Sequence, residues 1–192
     1  MQRLTQCKPL ESMNDIAAEL AKLHDLSGAD FIHQLRLIVS FREFQLIEGE
    51  TDIYSAIGED SEDFQSLLNA ARKAVSHGYR VFILPNPKGI RTADFIFERK
   101  GVYKMFDLKT ITGKNSVDNR LSGSIGQSNR ILLNITSEYS PSVLARSIKH
   151  YFEYNGNAIE VLIFKGRKSI SVIREDTFGS GFYKNFIHIY LK

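Results

Sequence analysis

Two aspartates and one lysine near the middle of the 192-residue chain have the types and spacing needed for metal-assisted hydrolysis. Asp94 lies in the run TADFIF, and Asp107 and Lys109 lie in FDLKT, beyond the turn at Lys100 and Gly101. Because side chains alternate along a strand, Asp107 and Lys109 would share one face. Neighbouring carboxylates repel each other unless a cation lies between them, and Mg²⁺ or Mn²⁺ held there would activate a water. The pattern therefore predicts a divalent-metal site that acts on phosphodiesters.

The elements around these residues are predicted from hydrophobic periodicity and from residues that begin or end helices and strands. Residues 93–98 and 102–108 alternate around Lys100 and Gly101, which indicates a β-hairpin. A helix at 62–77, capped by Ser61, and a strand at 79–84 precede it, and a short helix at 116–126 and an apolar strand at 130–135 follow the connector TITGKNS. The predicted order over this region is αβββαβ.

The remaining segments give a helical start and a mixed end. Residues 12–26 are predicted to be a helix, and residues 30–47 either a helix, which we favour, or a helix followed by a strand. We interpret the acidic stretch 48–63 as a solvated loop leading into a helix rather than as a metal site. Proline at a helix start predicts a helix at 141–154. Strands are predicted at 159–164, 169–173 and 186–191, with a hairpin turn near Gly166.

Composition limits the class of protein. The chain has 43% hydrophobic and 24% charged residues, enough for one good core with a small annex. A net charge of +3 permits an anionic partner without requiring one, and a single cysteine excludes a disulfide framework. The five histidines lack zinc-site spacing. No apolar run approaches the ~20 residues that span a bilayer, so we expect a soluble protein. An export signal of a larger secreted protein would lie outside this chain.

The motif and its setting resemble the PD-(D/E)XK nuclease superfamily, whose core has the order αβββαβ and carries an acidic residue, a hairpin and then (Asp/Glu)-x-Lys. The match covers roughly residues 61–135. ADFIF, FDLKT and NSVDNRLSGSIGQSNRILLNI look like the nuclease domains at the C-terminal ends of bacterial contact-dependent inhibition and related polymorphic toxins, and of some phage and mobile-element proteins. The proline expected before the first aspartate is replaced by Thr92-Ala93, a tolerated departure.

The resemblance implies a role for each matching residue. Asp94 and Asp107 would be metal ligands, and Lys109 would position the nucleophile. The residues implied to line the substrate side are Asn115, Ser116, Asn119, Arg120 and Gln127. A further acidic ligand on the first core helix is expected, for which Glu62 is our choice, while Asp63, Gln65 and Asn69 stay open.

Positive charge concentrates around the predicted site, as either a phosphate-binding rim or an ordinary solvated face. The residues concerned are Lys88, Arg91, Lys100, Lys104, Lys109, Lys114, Arg120 and Arg130. We take Lys114 as a substrate-binding residue. The aromatic residues of the hairpin are interpreted as core.

The resulting expectation is an α/β, restriction-endonuclease-like domain at 61–192 with a mixed sheet, and an N-terminal helical extension at 1–60. Its expected function is Mg²⁺- or Mn²⁺-dependent endonuclease cleavage of DNA or RNA, tRNA included, as a toxin or mobile-element nuclease. It would act in the cytoplasm, with an immunity protein as partner if it is a toxin. The alternatives are a non-catalytic nucleic-acid-binding or structural module with the same fold, and an interaction domain in which Asp-Leu-Lys is accidental.

Overall fold

The computed structural model of the protein describes residues 13–57, 63–113 and 117–192. Predictions for Ser61, Glu62, Lys114, Asn115 and Ser116 lie outside these residues, as does the predicted division of the chain at residue 60. Within the described ranges, no helix combines the length and the apolar character needed to cross a membrane.

Six α-helices and eight β-strands form the described structure. The helices are α1 (Met13–Lys22), α2 (Gly28–Val39), α3 (Phe64–Ser76), α4 (Val117–Gly123), α5 (Pro141–Tyr154) and α6 (Phe182–Leu191), with a short 3₁₀ helix at Arg174–Phe178. The strands are β1 (Gln45–Leu46), β2 (Ile53–Ser55), β3 (Arg80–Ile83), β4 (Phe95–Arg99), β5 (Val102–Ile111), β6 (Arg130–Ile135), β7 (Glu160–Lys165) and β8 (Lys168–Ile173).

The strands lie side by side in chain order, from β1 to β8, in one mixed sheet. Parallel pairing joins β2 to β3, β5 to β6 and β6 to β7, and the other neighbours are antiparallel. The α3-β3-β4-β5-α4-β6 segment has the predicted αβββαβ order, so the predicted α/β fold class is confirmed.

The long strand β5 changes partner half-way along its length. Residues 102–106 pair with β4, whereas residues 107–111 pair only with β6. The edge of β5 that faces β4 is therefore not paired by a strand from Asp107 to Ile111. We call this stretch the free edge of β5, and the chemistry-bearing residues lie along it.

Helices cover both faces of the sheet. On one, which we call the α3 face, the apolar side of α3 packs on inward residues such as Phe97, Phe106 and Leu132. On the other, the α5 face, α5 and α6 pack on residues such as Leu133 and Ile163, and α1 and α2 pack at the β3–β5 end. The side chains that belong to the two faces alternate along each strand, as pleating requires.

The structure confirms most of the predicted elements. The strand at 130–135 and the helix at 141–154 have the predicted bounds, and the Ser140 hydroxyl accepts a hydrogen bond from Val143 N at the start of α5. The hairpin turn is also confirmed, with positive φ at both Lys100 (52°) and Gly101 (79°), as a two-residue type I′ turn requires.

The predicted strand at 186–191 is wrong, because this segment is the C-terminal part of α6. Alternation in FIHIYL suggested a strand, but the buried residues of this helix are Phe182, Phe186 and Tyr190. A spacing of four places them on one helical face, which packs beside α5. Helical packing on the sheet therefore outweighs the local alternation.

Three further predictions need correction near the ends of elements. The favoured helix at 30–47 ends at Val39, and β1 follows it, so the helix-plus-strand alternative is correct. Within the acidic stretch, β2 pairs with β3 instead of forming loop throughout. After Lys109, β5 continues to Ile111 where a connector was predicted.

Candidate active site

Asp94 is fixed at the point where β4 separates from β5. Its backbone N–H donates to Phe106 O (3.1 Å), and its carbonyl accepts from Leu84 N (2.9 Å). Its carboxylate accepts from Leu108 N on β5 through Oδ2 (2.6 Å). These bonds tie the residue before β4 to the strands on both sides, so the position of the carboxylate is set by the sheet.

Asp107 and Lys109 lie on the same face of β5, as the alternation predicted. Lys109 Nζ lies 2.8 Å from Asp107 Oδ2, and the two side chains are 17% and 3% exposed respectively. Because this ion pair is largely removed from solvent, it holds the lysine amine in place better than a surface pair would.

Burial, and after it the charge of nearby Asp107, together raise the pKa of Asp94 to about 7, against the opposing hydrogen bond from Leu108 N and the charge of Lys109. The two carboxyl groups lie close enough for protonated Asp94 to hydrogen-bond to Asp107. Such a pair ionises fully at neutral pH only if a cation compensates the repulsion.

Gln127, in the loop after α4, contacts this pair. One of its amide heavy atoms lies 2.7 Å from Asp107 Oδ1, 3.1 Å from Oδ2 and 3.3 Å from Lys109 Nζ. When this atom is the amide nitrogen, it donates to both oxygens of Asp107. The glutamine thus orients the carboxylate between the lysine and the cleft.

These side chains open into a cleft of about 460 Å³ at the free edge of β5. Other polar residues that line it are Asp63, Ser66, Asn86, Arg91, Thr92, Thr110 and Arg120. Its lining comes from both faces of the sheet, since Lys109 and Thr110 are successive residues that point in opposite directions. The cleft therefore wraps around the strand edge.

The structure brings together Asp94, Asp107, Lys109, Gln127 and Arg120. Asn119 is exposed on α4 and does not line the cleft. Glu62, Lys114, Asn115 and Ser116 lie outside the described residues, although Asp63, the neighbour of Glu62, reaches the cleft.

Two of the basic residues predicted to surround the site form ion pairs elsewhere. Lys104 Nζ lies 2.7 Å and Arg130 Nε 3.3 Å from Oε2 of buried Glu160, away from the cleft lining. These two residues therefore form a structural ion cluster, whereas Arg91 and Arg120 supply the positive charge of the cleft. Sequence reasoning missed Ser66 and Thr110, whose only signal is a polar residue beside an apolar stripe.

The donor set fits a divalent cation of the magnesium type. No group of three or more His, Cys, Asp or Glu side chains in the described ranges is placed to hold a metal. Mg²⁺, however, is commonly bound by one or two carboxylates together with water and substrate phosphates. Half-buried Asp94 and buried Asp107, a repelling pair of hard oxygen donors, meet that requirement.

Comparisons with known proteins add one similarity. No protein-family model matches the chain, and no curated protein matches it in sequence. A solved structure, the CdiA-CT/CdiI toxin and immunity complex from Burkholderia pseudomallei, aligns with a TM-score of 0.44 and 18% identity. The alignment covers 61% of this chain and 92% of the other, and at this TM-score it assigns no role to any residue of the cleft.

Proposed function

We propose that the protein is a divalent-metal-dependent endonuclease that hydrolyses phosphodiester bonds of DNA or RNA. The observation that carries the proposal is the convergence of Asp94, Asp107 and Lys109 in one open cleft. Two carboxylates, one half-buried and one buried, lie beside a lysine and form an acidic centre that attracts a cation, and the adjacent guanidinium groups favour an anionic substrate. A phosphodiester with a bound divalent cation satisfies both requirements.

Each residue has a distinct task in this proposal. A bound Mg²⁺ or Mn²⁺ would polarise the phosphoryl oxygen and acidify an attacking water. Asp94 and Asp107 would hold the cation. Lys109, held by Asp107, would orient the water and offset negative charge on the phosphoryl group. Gln127 would hold Asp107 in the conformation in which its carboxylate contacts both Lys109 and the cation.

The substrate is held by features that do not depend on base identity. Arg91 and Arg120 line the cleft, and their guanidinium groups can donate hydrogen bonds to a phosphate, although one terminal nitrogen of Arg91 also donates to Ile125 O. Contacts of this kind position a nucleic acid without selecting a sequence. The proposal therefore includes DNA and RNA, with tRNA among the RNA substrates.

We further propose a toxin or mobile-element role, which rests on the sequence resemblance described above. In the toxin case the chain would be delivered as part of a larger secreted protein, act in the cytoplasm of the recipient cell, and be neutralised by an immunity protein. An immunity protein that covers the cleft would block substrate entry. This role predicts that expression of the wild-type chain inhibits bacterial growth and that Asp107→Ala relieves the inhibition.

Cleavage assays test the proposal. Plasmid, linear DNA and tRNA are incubated with wild type, Asp107→Ala, Lys109→Ala and the control Lys184→Met, in Mg²⁺, Mn²⁺ or EDTA. Lys184 is exposed on α6 and makes no ion pair among the described residues. We expect metal-dependent cleavage by wild type and control, and a loss of about 100-fold or more in the two cleft variants. Binding without cleavage by wild type would instead support a non-catalytic nucleic-acid-binding module.

A further inference from the structure

A second cavity, formed by residues with polar side chains, adjoins the cleft on the α3 face of the sheet. It measures about 460 Å³ and is lined by Ser66, Asn69, Lys73, Thr110, Asn134 and Thr136. All six residues are polar, and the only formal charge among them is the amine of Lys73. A cavity with this lining offers one positive charge and several hydrogen-bond donors.

Lys73 has an unusual environment for a lysine. It is half-buried on α3, and its Nζ donates to Asn134 Oδ1 at 2.6 Å. No carboxylate in the described part of the chain forms an ion pair with it, and burial lowers its pKa. An ammonium group that loses water without gaining a counter-charge destabilises the fold. An anion bound beside Lys73 would supply the missing counter-charge.

Asn134 is an equally unusual residue for its strand. It is 3% exposed in β6, whose other residues after Arg130 are apolar and buried. Its Oδ1 accepts from Lys73, and its amide nitrogen makes no hydrogen bond to the described residues. A leucine at this position would avoid the free-energy cost of burying an amide nitrogen without a partner, since buried polar groups are normally paired. The amide instead adds a second donor beside the amine.

The cavity is continuous with the cleft. Ser66 and Thr110 line both, and their hydroxyl oxygens lie 3.2 Å apart. Thr110 follows Lys109 in β5 and is the register partner of Asn134 in β6. Asn134 therefore shares the face of the sheet with Thr110, the residue next to the lysine of the cleft. A chain that passes over the free edge of β5 would contact both.

We propose that this cavity, the Lys73 subsite, binds a phosphate group of the nucleic-acid strand close to the phosphate that is cleaved. This inference rests on the proposed function, because it names a contact with the same substrate. Lys73 supplies the charge, and Asn134, Asn69 and the hydroxyl of Ser66 or Thr110 supply donors. A cation is disfavoured because Lys73 would repel it. The subsite positions the backbone and leaves the chemistry to the Asp94–Lys109 cleft.

The first test compares Lys73→Met with Lys184→Met in binding of a single-stranded oligonucleotide in EDTA, across a range of salt concentrations. We expect Lys73→Met to weaken binding about 3- to 10-fold and to lower the slope of log K against log salt by about 0.7. Lys73→Arg should retain most of the affinity. The free energy of unfolding of Lys73→Met should change little, because removal of an uncompensated charge offsets the loss of the hydrogen bond to Asn134 Oδ1. Equal affinity and slope for Lys73→Met and the control would overturn the proposal.

A second readout separates failure of the subsite from failure of the proposed function. The side-chain amide resonances of Asn134 are followed by NMR during titration with the oligonucleotide and, separately, with inorganic phosphate. A saturable shift with the oligonucleotide that is lost in Lys73→Met supports the subsite. A shift with inorganic phosphate alone would overturn the nucleic-acid assignment, and no shift with either would overturn the subsite. Absence of cleavage by wild type refutes the nuclease, whatever the Asn134 resonances show.

Discussion

Replacing Asp94 with asparagine should make the protein more stable at alkaline pH while abolishing its proposed activity. The substitution keeps an oxygen that can accept from Leu108 N and removes the charge that opposes Asp107. The folded protein binds a proton at Asp94 up to pH of about 7, whereas the unfolded chain releases it near 3.8. The stability that this proton provides is complete below pH 3.8 and is lost as the pH rises towards 7.

The size of the effect follows from the two pKa values. At about 1.4 kcal/mol per pKa unit, ionising Asp94 in the folded protein costs at most about 4 kcal/mol relative to the unfolded chain. Partial exposure and relaxation reduce this figure, so we expect Asp94→Asn to be more stable than wild type by about 1–4 kcal/mol at pH 8. At a pH near 3.5, where Asp94 is protonated in both states, the two proteins should differ by less than about 1 kcal/mol.

Urea unfolding of both proteins at pH 3.5 and pH 8, in EDTA, measures these free energies. Repetition with Mg²⁺ at pH 8 should stabilise wild type and leave Asp94→Asn almost unchanged, because a ligand stabilises the state that binds it. A control substitution at exposed Asp25 should show neither effect. If the stability difference between wild type and Asp94→Asn is the same at both pH values, the carboxylates of Asp94 and Asp107 do not repel each other. There is then no reason to expect a cation between them.

Three further predictions address the cleft, the ion cluster and the core. Lys109→Met should lower the cleavage rate about 100-fold or more with less than a tenfold change in oligonucleotide affinity; an unchanged rate would contradict the assigned role. Glu160→Ala should destabilise the fold by about 2–4 kcal/mol, because Glu160 is buried and its loss leaves Lys104 and Arg130 unpaired. Glu138→Ala, which removes a carboxylate that is 94% exposed, should cost less than about 0.5 kcal/mol in the same denaturation experiment. Leu132→Ala, at a fully buried site, should cost about 2–5 kcal/mol, and a smaller loss would indicate that the α3 face repacks.

Elements with strong local signals were predictable from the sequence. Helix α5 has Ser140 and Pro141 at its start, and β6 is a run of residues that are apolar and buried apart from Arg130 at its start and Asn134. In α6, alternating apolar residues suggested a strand, and only packing against α5 decides between the two periodicities. The short strands β1 and β2 carry too few residues for a pattern, and they form through pairing, β2 with β3 and β1 with β2.

The candidate site likewise has residues whose arrangement could be predicted from the sequence and residues whose arrangement could not. Alternation within Asp-Leu-Lys was enough to place Asp107 and Lys109 together, because one strand determines their relation. Asp94 approaches Asp107 because β4 begins only at Phe95, opposite Phe106, whereas β5 continues beyond Phe106. The hairpin predicted from the sequence indicated this arrangement. Ser66 and Lys73 lie on α3 and Thr110 lies on β5, and their meeting at a sheet edge is a relation that only the tertiary fold establishes.

The most direct test of the cleft as a nuclease active site is the single-turnover cleavage rate of Asp107→Asn on a labelled oligonucleotide or tRNA that wild type cleaves. The substitution keeps the shape of the side chain and removes the charge that holds Lys109 and the proposed cation. We predict Mg²⁺- or Mn²⁺-dependent cleavage by wild type and a rate at least about 100-fold lower for a folded Asp107→Asn. Cleavage by Asp107→Asn at the wild-type rate would contradict the assignment of the cleft as the active site.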